Sequence, residues 1–408
     1  MREDDRRLDY CVKCTDCNTA CPVIKVLPGF PGPKALGPDL ERLRKEGIPC
    51  DTPWLAYCLG CNRCELACPN EVNVSELIAR AKGKQRTSGR AGLRDRLFAR
   101  PYLLGRVCSV APALSNSMLR FKPTRWLMSK SYRIGTEREF PKYHSRRITH
   151  NKNGTSRREI IFFAGCFIRY NDPHLMQAVV DMLQLHSSVE IVSEACCGVP
   201  ALANGDRSQL MRDLRANVES LLPRVQNGAR IVTACTSCGH MLKAEYPRLL
   251  KDDPHLGRLA PIISQKTYDL AEFLLELGGG PAAELQPVNK RLAYHAPCHL
   301  KGQGIGRPWL RLLRAIPGIE VEEMAAECCG MAGTFGFKQE KYQISMDIGE
   351  ELFSAIRAYH PDLAVSECAT CRMQIEHGTS VPALHPAEIL HQALVGNSLQ
   401  TSPLGGRS

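Results

Sequence analysis

Apolar residues in the second half of the chain fall into short runs that read as buried strands. EIIFFAG at 159–165, VEIVSE at 189–194 and RIVTA at 230–234 are rich in β-branched and aromatic side chains. Between them, QAVVDMLQL at 177–185 and the stretch 209–225 carry apolar residues at helical spacing. The order then returns: RLAYHAP at 291–297, IEVEEM at 319–324 and DLAVSE at 362–367 as strands, with helices near 307–316 and 338–358. Strands alternating with helices predict parallel α/β sheets, which gather ligands at loops beyond the carboxyl ends of the strands. Between residues 80 and 158 no helical or alternating period is sustained, and Pro101, Pro112, Pro123 and Pro141 interrupt the segment, which predicts a connector. Its charge-free run from Val107 to Leu119 has 13 residues, short of the roughly 20 that cross a bilayer.

The repeat is sharpest in the cysteines. Cys166, Cys196, Cys197, Cys235 and Cys238 recur as Cys298, Cys328, Cys329, Cys368 and Cys371, offset by 132 to 133 residues. Each paired cysteine is followed by a glycine, Gly198 or Gly330, and each copy closes with C-x2-C. All ten fall where the predicted strands end, so five thiols from three loops of each half are placed to converge on one cofactor. The glycines are expected to leave room where backbone approaches a bulky cluster. A buried structural pair beside a zinc site is the simpler alternative.

The N-terminal part carries CVKCTDCNTACP at 11–22 and CLGCNRCELACP at 58–69. Each is C-x2-C-x2-C-x3-C-P, the bacterial ferredoxin spacing, in which three thiolates hold one cubane and the fourth serves its neighbour. The expected ligands are Cys11, Cys14, Cys17 and Cys68 for the first 4Fe-4S cluster, and Cys58, Cys61, Cys64 and Cys21 for the second. Zinc ribbons would leave the third cysteine and the Cys-Pro step of each motif unexplained. Cys50 and Cys108 have no spacing partners and read as ordinary thiols.

Composition and charge bound the rest. With 408 residues, 23% charged and 44% hydrophobic, the chain reads as a soluble protein of two or three domains. Twenty cysteines are too sparse for a secreted disulfide scaffold, and the charged start MREDDRRLDY has no apolar core of a secretory signal. A reducing cytoplasm with metal-ligating cysteines is expected. From Arg80 to Arg158 there are 21 Lys and Arg against three acids, a local +18 within a net +11. That concentration predicts contact with an anionic surface. Anionic lipid is the expected partner, with Tyr102, Leu103, Leu104, Phe121, Trp126 and Leu127 entering the interface; acidic surfaces of partner subunits, or plain solvation of the linker, are the alternative. Regular aromatic interleaving is missing, so nucleic acid is not expected. There is no P-loop and no C-x-x-C-H haem site, and GQGIGR at 302–307 has Arg307 where a dinucleotide site needs its third glycine. His299, beside Cys298, is either a donor to the cofactor's ligands or a structural histidine.

Two ferredoxin motifs followed by two CCG motifs resemble glycolate oxidase iron-sulfur subunits, lactate-utilisation proteins and the B subunits of heterodisulfide reductases. PGFPGPKALGPDLERLR, PKYHSRR, CCGVPALANGD, EYPRLL, YHAPCH and CCGMAGTFGFKQE make the chain most similar to the family of C subunits of anaerobic glycerol-3-phosphate dehydrogenases. The resemblance implies a helical, ferredoxin-like two-cluster domain (1–85), a basic linker (86–158), two repeated Rossmann-like α/β CCG domains (159–285 and 286–398) and a disordered tail (399–408). It implies a non-catalytic electron-transfer subunit with further iron-sulfur clusters, non-cubane 4Fe-4S or simpler, on the two sets of five cysteines. Flavoprotein catalytic subunits and membrane quinone are the implied partners. The implied place is peripheral, on the cytoplasmic face of the inner membrane. The alternatives are a glycolate or lactate oxidase complex and a catalytic disulfide reductase.

Overall fold

The computed structural model describes residues 8–85, 89–145, 159–192, 194–278 and 285–396. Arg86, Arg146, Arg147, Lys152, Arg157 and Arg158, and the tail expected over 399–408, lie outside the described residues. Two four-stranded, wholly parallel sheets organise the C-terminal part, ordered β2-β1-β3-β4 and β6-β5-β7-β8. In the first, β1 (Ile160–Phe163) lies between β2 (Val189–Val192) and β3 (Arg230–Thr233), and β4 (Thr267–Asp269) closes the edge. In the second, β5 (Lys290–Tyr294) lies between β6 (Ile319–Glu323) and β7 (Leu363–Val365), with β8 (Ala383–Leu384) outside. Registers such as Phe163↔Val192 and Tyr294↔Glu323 end paired strands together, so the loops that follow emerge side by side.

The six strands read from the sequence are all present, and β4 and β8 are additional. These two have three and two residues, too short for an alternating pattern to show. Each runs into a helix whose first turn is capped by the residue at its head: Asp269 accepts from Ala271 N, and His385 accepts from Ala387 N. The two units share one apolar core, in which Phe162 and Val232 of the first sheet join Leu292, Tyr294 and Leu363 of the second. Buried Arg372 ties them further, donating to Asp172 Oδ2 at 3.0 Å.

The connector is helical, against the expectation of an irregular link. It forms α1 (Gly89–Phe98), α2 (Pro101–Cys108), α3 (Pro112–Arg120) and α4 (Lys122–Tyr132). Proline stands at the first or second position of α2, α3 and α4, where its missing N–H costs nothing, so these prolines start helices instead of breaking them. Each helix spans only two or three turns, too few for a periodic stripe to stand out. Some of the basic residues also face inward. Arg94 and Arg138 are buried: Arg94 pairs with Glu340 through both terminal nitrogens at 3.0 and 2.9 Å, and Arg138 donates to Gly336 O. Tyr102 packs edge-on against Tyr170 instead of facing outward.

Candidate metal centres

Cys11, Cys14, Cys17 and Cys68 line one cavity, together with Lys34, Pro38, Val72 and Val74. Burial and the neighbouring Cys11, Cys68 and Cys14 push the Cys17 thiol up to about 11. Cys21 instead stands near Cys58. Cys61 is pushed up to about 12 by burial, with Cys58 and Cys21 as its thiol neighbours. The structure thus brings Cys68 to Cys11, Cys14 and Cys17, and Cys21 to Cys58, Cys61 and Cys64. The loops match as well: Lys13 and Gly60, which precede Cys14 and Cys61, and Thr15 and Asn62, which follow them, all have φ between 59° and 75°.

The ten cysteines of the repeat form two nests at the strand ends. In the first, Cys166 and Cys196 have their Sγ atoms 3.9 Å apart, and Cys197 and Cys235 each approach Cys238. In the second, Cys329 Sγ lies 3.2 Å from Cys371 Sγ, and Cys371 also meets Cys368. The thiols shift in opposite directions. Cys196 is held well below its ordinary value by hydrogen bonds from Cys166 and Cys197, while Cys166 and Cys197 are pushed well above theirs. Cys368 is lowered to about 7 by its bond from Cys371, which rises. Five crowded and mostly buried thiols cannot all ionise side by side without a cation, and a metal cluster takes thiolates. This donor set therefore fits an iron-sulfur group.

The glycines after the paired cysteines have a packing role besides the one expected. Gly198 and Gly330 have φ of +101° and +82°; a Cβ would lie 2.8 Å from Leu210 Cδ1 at the first and collide with Ser345 O at the second. They admit packing helices, and the Gly330 N–H also donates to Cys328 Sγ at 3.4 Å. The glycine that clears space beside the thiols is Gly165, where a Cβ would come within 2.8 Å of Cys238 Sγ.

The sets also adjoin one another. Cys61 of the second ferredoxin motif is a neighbour of Cys298 and Cys328, and Cys235 of the first nest is a neighbour of Cys368. Arg63, Lys25 and Glu327 brace the ferredoxin part against the second unit. Arg248 to Glu65 does the same against the first. At the junction His240 and His299 stack, 5.1 Å between centroids and 8° from parallel. His299 Nε2 donates to Gly60 O at 3.2 Å and its Nδ1 accepts from Ser237 Oγ at 2.8 Å. Burial and His240 lower His299 to about 4, which leaves it neutral. Asn62 donates to His240 at 2.7 Å. His299 thus bridges units instead of standing alone. His240, Glu245, whose carboxylate lies 3.3 Å from His240 Nε2, and Asn62 are not legible in the sequence, because their role exists only where three parts of the chain meet. Cys50 donates to Ile48 O, and Cys108 bonds Ser115.

Residues 7–72 match the 4Fe-4S dicluster domain family, and residues 160–243 and 292–376 match the cysteine-rich domain family CCG. With the thiol sets above, these matches define an iron-sulfur electron-transfer protein. The chain is 39% identical over 401 residues to the C subunit of anaerobic glycerol-3-phosphate dehydrogenase from Escherichia coli K12, covering 96% of this chain and all of that one. It belongs to that family of C subunits. More distant relatives are the B subunit of fumarate reductase (CoM/CoB) from Methanothermobacter marburgensis, 30% identical over 56% of this chain and 44% of that one, and lactate utilization protein A of Bacillus licheniformis, 26% identical over 59% and 99%.

Proposed function

We propose that the chain passes electrons from a flavin-containing glycerol-3-phosphate dehydrogenase to membrane quinone and holds that enzyme at the membrane surface. The observation that carries this reading is the continuous succession of thiol sets from the Cys11 motif, through Cys58 and Cys61, to Cys298 and Cys328, and on through Cys368 to Cys235. The proposed ligands are Cys11, Cys14, Cys17 and Cys68 for one cubane, and Cys58, Cys61, Cys64 and Cys21 for the other. Each nest of five takes a further cluster. Bound iron-sulfur clusters supply one-electron steps at potentials set by charge, hydrogen bonds and burial. The chain's own residues hold the sets in contact, and burial of Cys21, Cys64 and most of the nest thiols limits the access of water. Full-length similarity to a glycerol-3-phosphate dehydrogenase C subunit favours this substrate system over lactate, whose relative matches only part of the chain.

The membrane part of the reading rests on α1 to α4. No helix among the described residues is long and apolar enough to cross a bilayer. Leu93, Leu97, Leu103, Val107, Val110, Leu114, Met118, Phe121, Trp126 and Leu127 are nevertheless all exposed there. Apolar side chains on short helices among Arg106, Arg120, Lys122 and Lys130 suit an interfacial contact with anionic lipid. The test is quinone reduction by the flavoprotein subunits in native membranes lacking this chain. Adding the chain should restore both the enzyme's membrane attachment and glycerol-3-phosphate-dependent quinone reduction. Quinone reduction at the full rate without the chain would overturn the proposal.

A further inference from the structure

The two CCG units share a strand order and five cysteines, yet the walls around their nests differ in kind. At the 132-residue offset, His295 of the second unit stands where the first has Phe163, and His299 where it has Phe167. At the 133-residue offset of the closing motif, Glu367 stands where the first has Ala234. His295 and Phe163 occupy the same place, at the carboxyl end of the central strand, and both are buried. In the first unit Phe163 packs with Cys196, Cys197 and Cys238. In the second, a ring nitrogen of His295 and the Sγ atoms of Cys329 and Cys371 all lie within 4.8 Å of one another.

We infer that His295 is a nitrogen ligand of the metal centre in the second CCG site, which makes that site mixed in nitrogen and sulfur while the first has thiolates alone. This rests on the reading that the nests bind iron-sulfur clusters. Donor atoms that share one tetrahedral ion stand about 3.5–4 Å apart, so the three atoms need little movement to meet on one metal. The imidazole is almost wholly buried, it hydrogen-bonds the Cys329 thiol, and its Nδ1 meets no hydrogen-bond partner in the protein. An unpaired polar nitrogen in such a place costs about 1–3 kcal/mol unless something satisfies it. The backbone of His295 is fixed by its N–H bond to Val365 O at 3.0 Å, which holds the residue at the carboxyl end of β7, beside the C-x2-C loop. A neutral imidazole adds a donor beside the five crowded thiols without adding negative charge. The second site is also the one that adjoins Cys61.

The test is pulsed electron-nuclear resonance on the reduced, full-length protein with its twelve histidines labelled with ¹⁵N. A strong coupling from a metal-bound nitrogen is expected in the unaltered protein. It should vanish in His295→Phe, a change the first unit already accommodates at Phe163. Absence of such coupling in the unaltered protein, or its persistence in His295→Phe, would overturn the inference, and the first measurement needs no variant to fold. Iron analysis of Cys329→Ser separates the underlying reading. Loss of iron relative to the unaltered protein shows the second nest loaded. No loss means that the nest holds no cluster, and the cluster reading fails along with its histidine ligand.

Discussion

Lys13, Thr15 and Asn62 hold left-handed backbone conformations that cost a residue with a Cβ about 1–2 kcal/mol each. Strain repeated at matching positions of two loops marks a geometry that the surroundings require. Cys-Pro steps and C-x2-C spacings are readable because ligand geometry is written into local sequence. The role of the paired-cysteine glycines is not, since Gly330 answers to Ser345, a residue farther along the chain that only folding brings near. Two outcomes follow at this scale. Cys21→Ser should disturb the spectroscopic signal of the Cys58 set and spare that of the Cys11 set, and a loss confined to the latter would refute the exchange. Gly330→Ala should lower the unfolding free energy by about 3 kcal/mol or more through strain and clash together. Gly304→Ala, with φ of +69° and open space around it, should cost only about 1–2 kcal/mol, and denaturant titration compares the two.

The helices α1 to α4 show where elements escape the sequence. A central strand such as Ile160–Phe163 is legible, because burial on both faces of a parallel sheet leaves a continuous apolar run. Two-turn helices with exposed apolar faces leave no such mark. Structure also divides the basic residues by task. Arg125 donates to the carbonyls of Thr136 and Arg138, so reversing its charge should destabilise the segment itself. Lys122, Phe121 and Trp126 are exposed and make the cleaner probe. Phe121→Ser/Trp126→Ser should weaken binding to anionic vesicles roughly tenfold or more at unchanged thermal stability, and Lys122→Glu should weaken it further at low salt. Flotation assays would show equal binding by all variants if the surface instead meets a protein partner.

Across the whole molecule, duplication of one α/β unit is evident from cysteine spacing, whereas the order of the sets is not, because it depends on how three parts pack. Arg372 is central to that packing. It is buried between Asp172 Oδ2 at 3.0 Å and Glu388 Oε2 at 3.5 Å. Arg372→Met would leave both carboxylates buried without their cation and should cost about 3–5 kcal/mol in denaturant unfolding. Asp172→Asn added to it should restore part of the loss. The central claim, that this chain accepts electrons from a flavoprotein through its cysteine sets, is tested most directly by one anaerobic measurement. The oxidised chain, loaded with iron and sulfide, is mixed with its flavoprotein subunits and glycerol 3-phosphate while its visible absorbance and paramagnetic signals are followed. Bleaching of the cluster absorbance and growth of reduced-cluster signals in step with substrate oxidation is the predicted result. Clusters that stay oxidised beside a fully reduced flavin would contradict it.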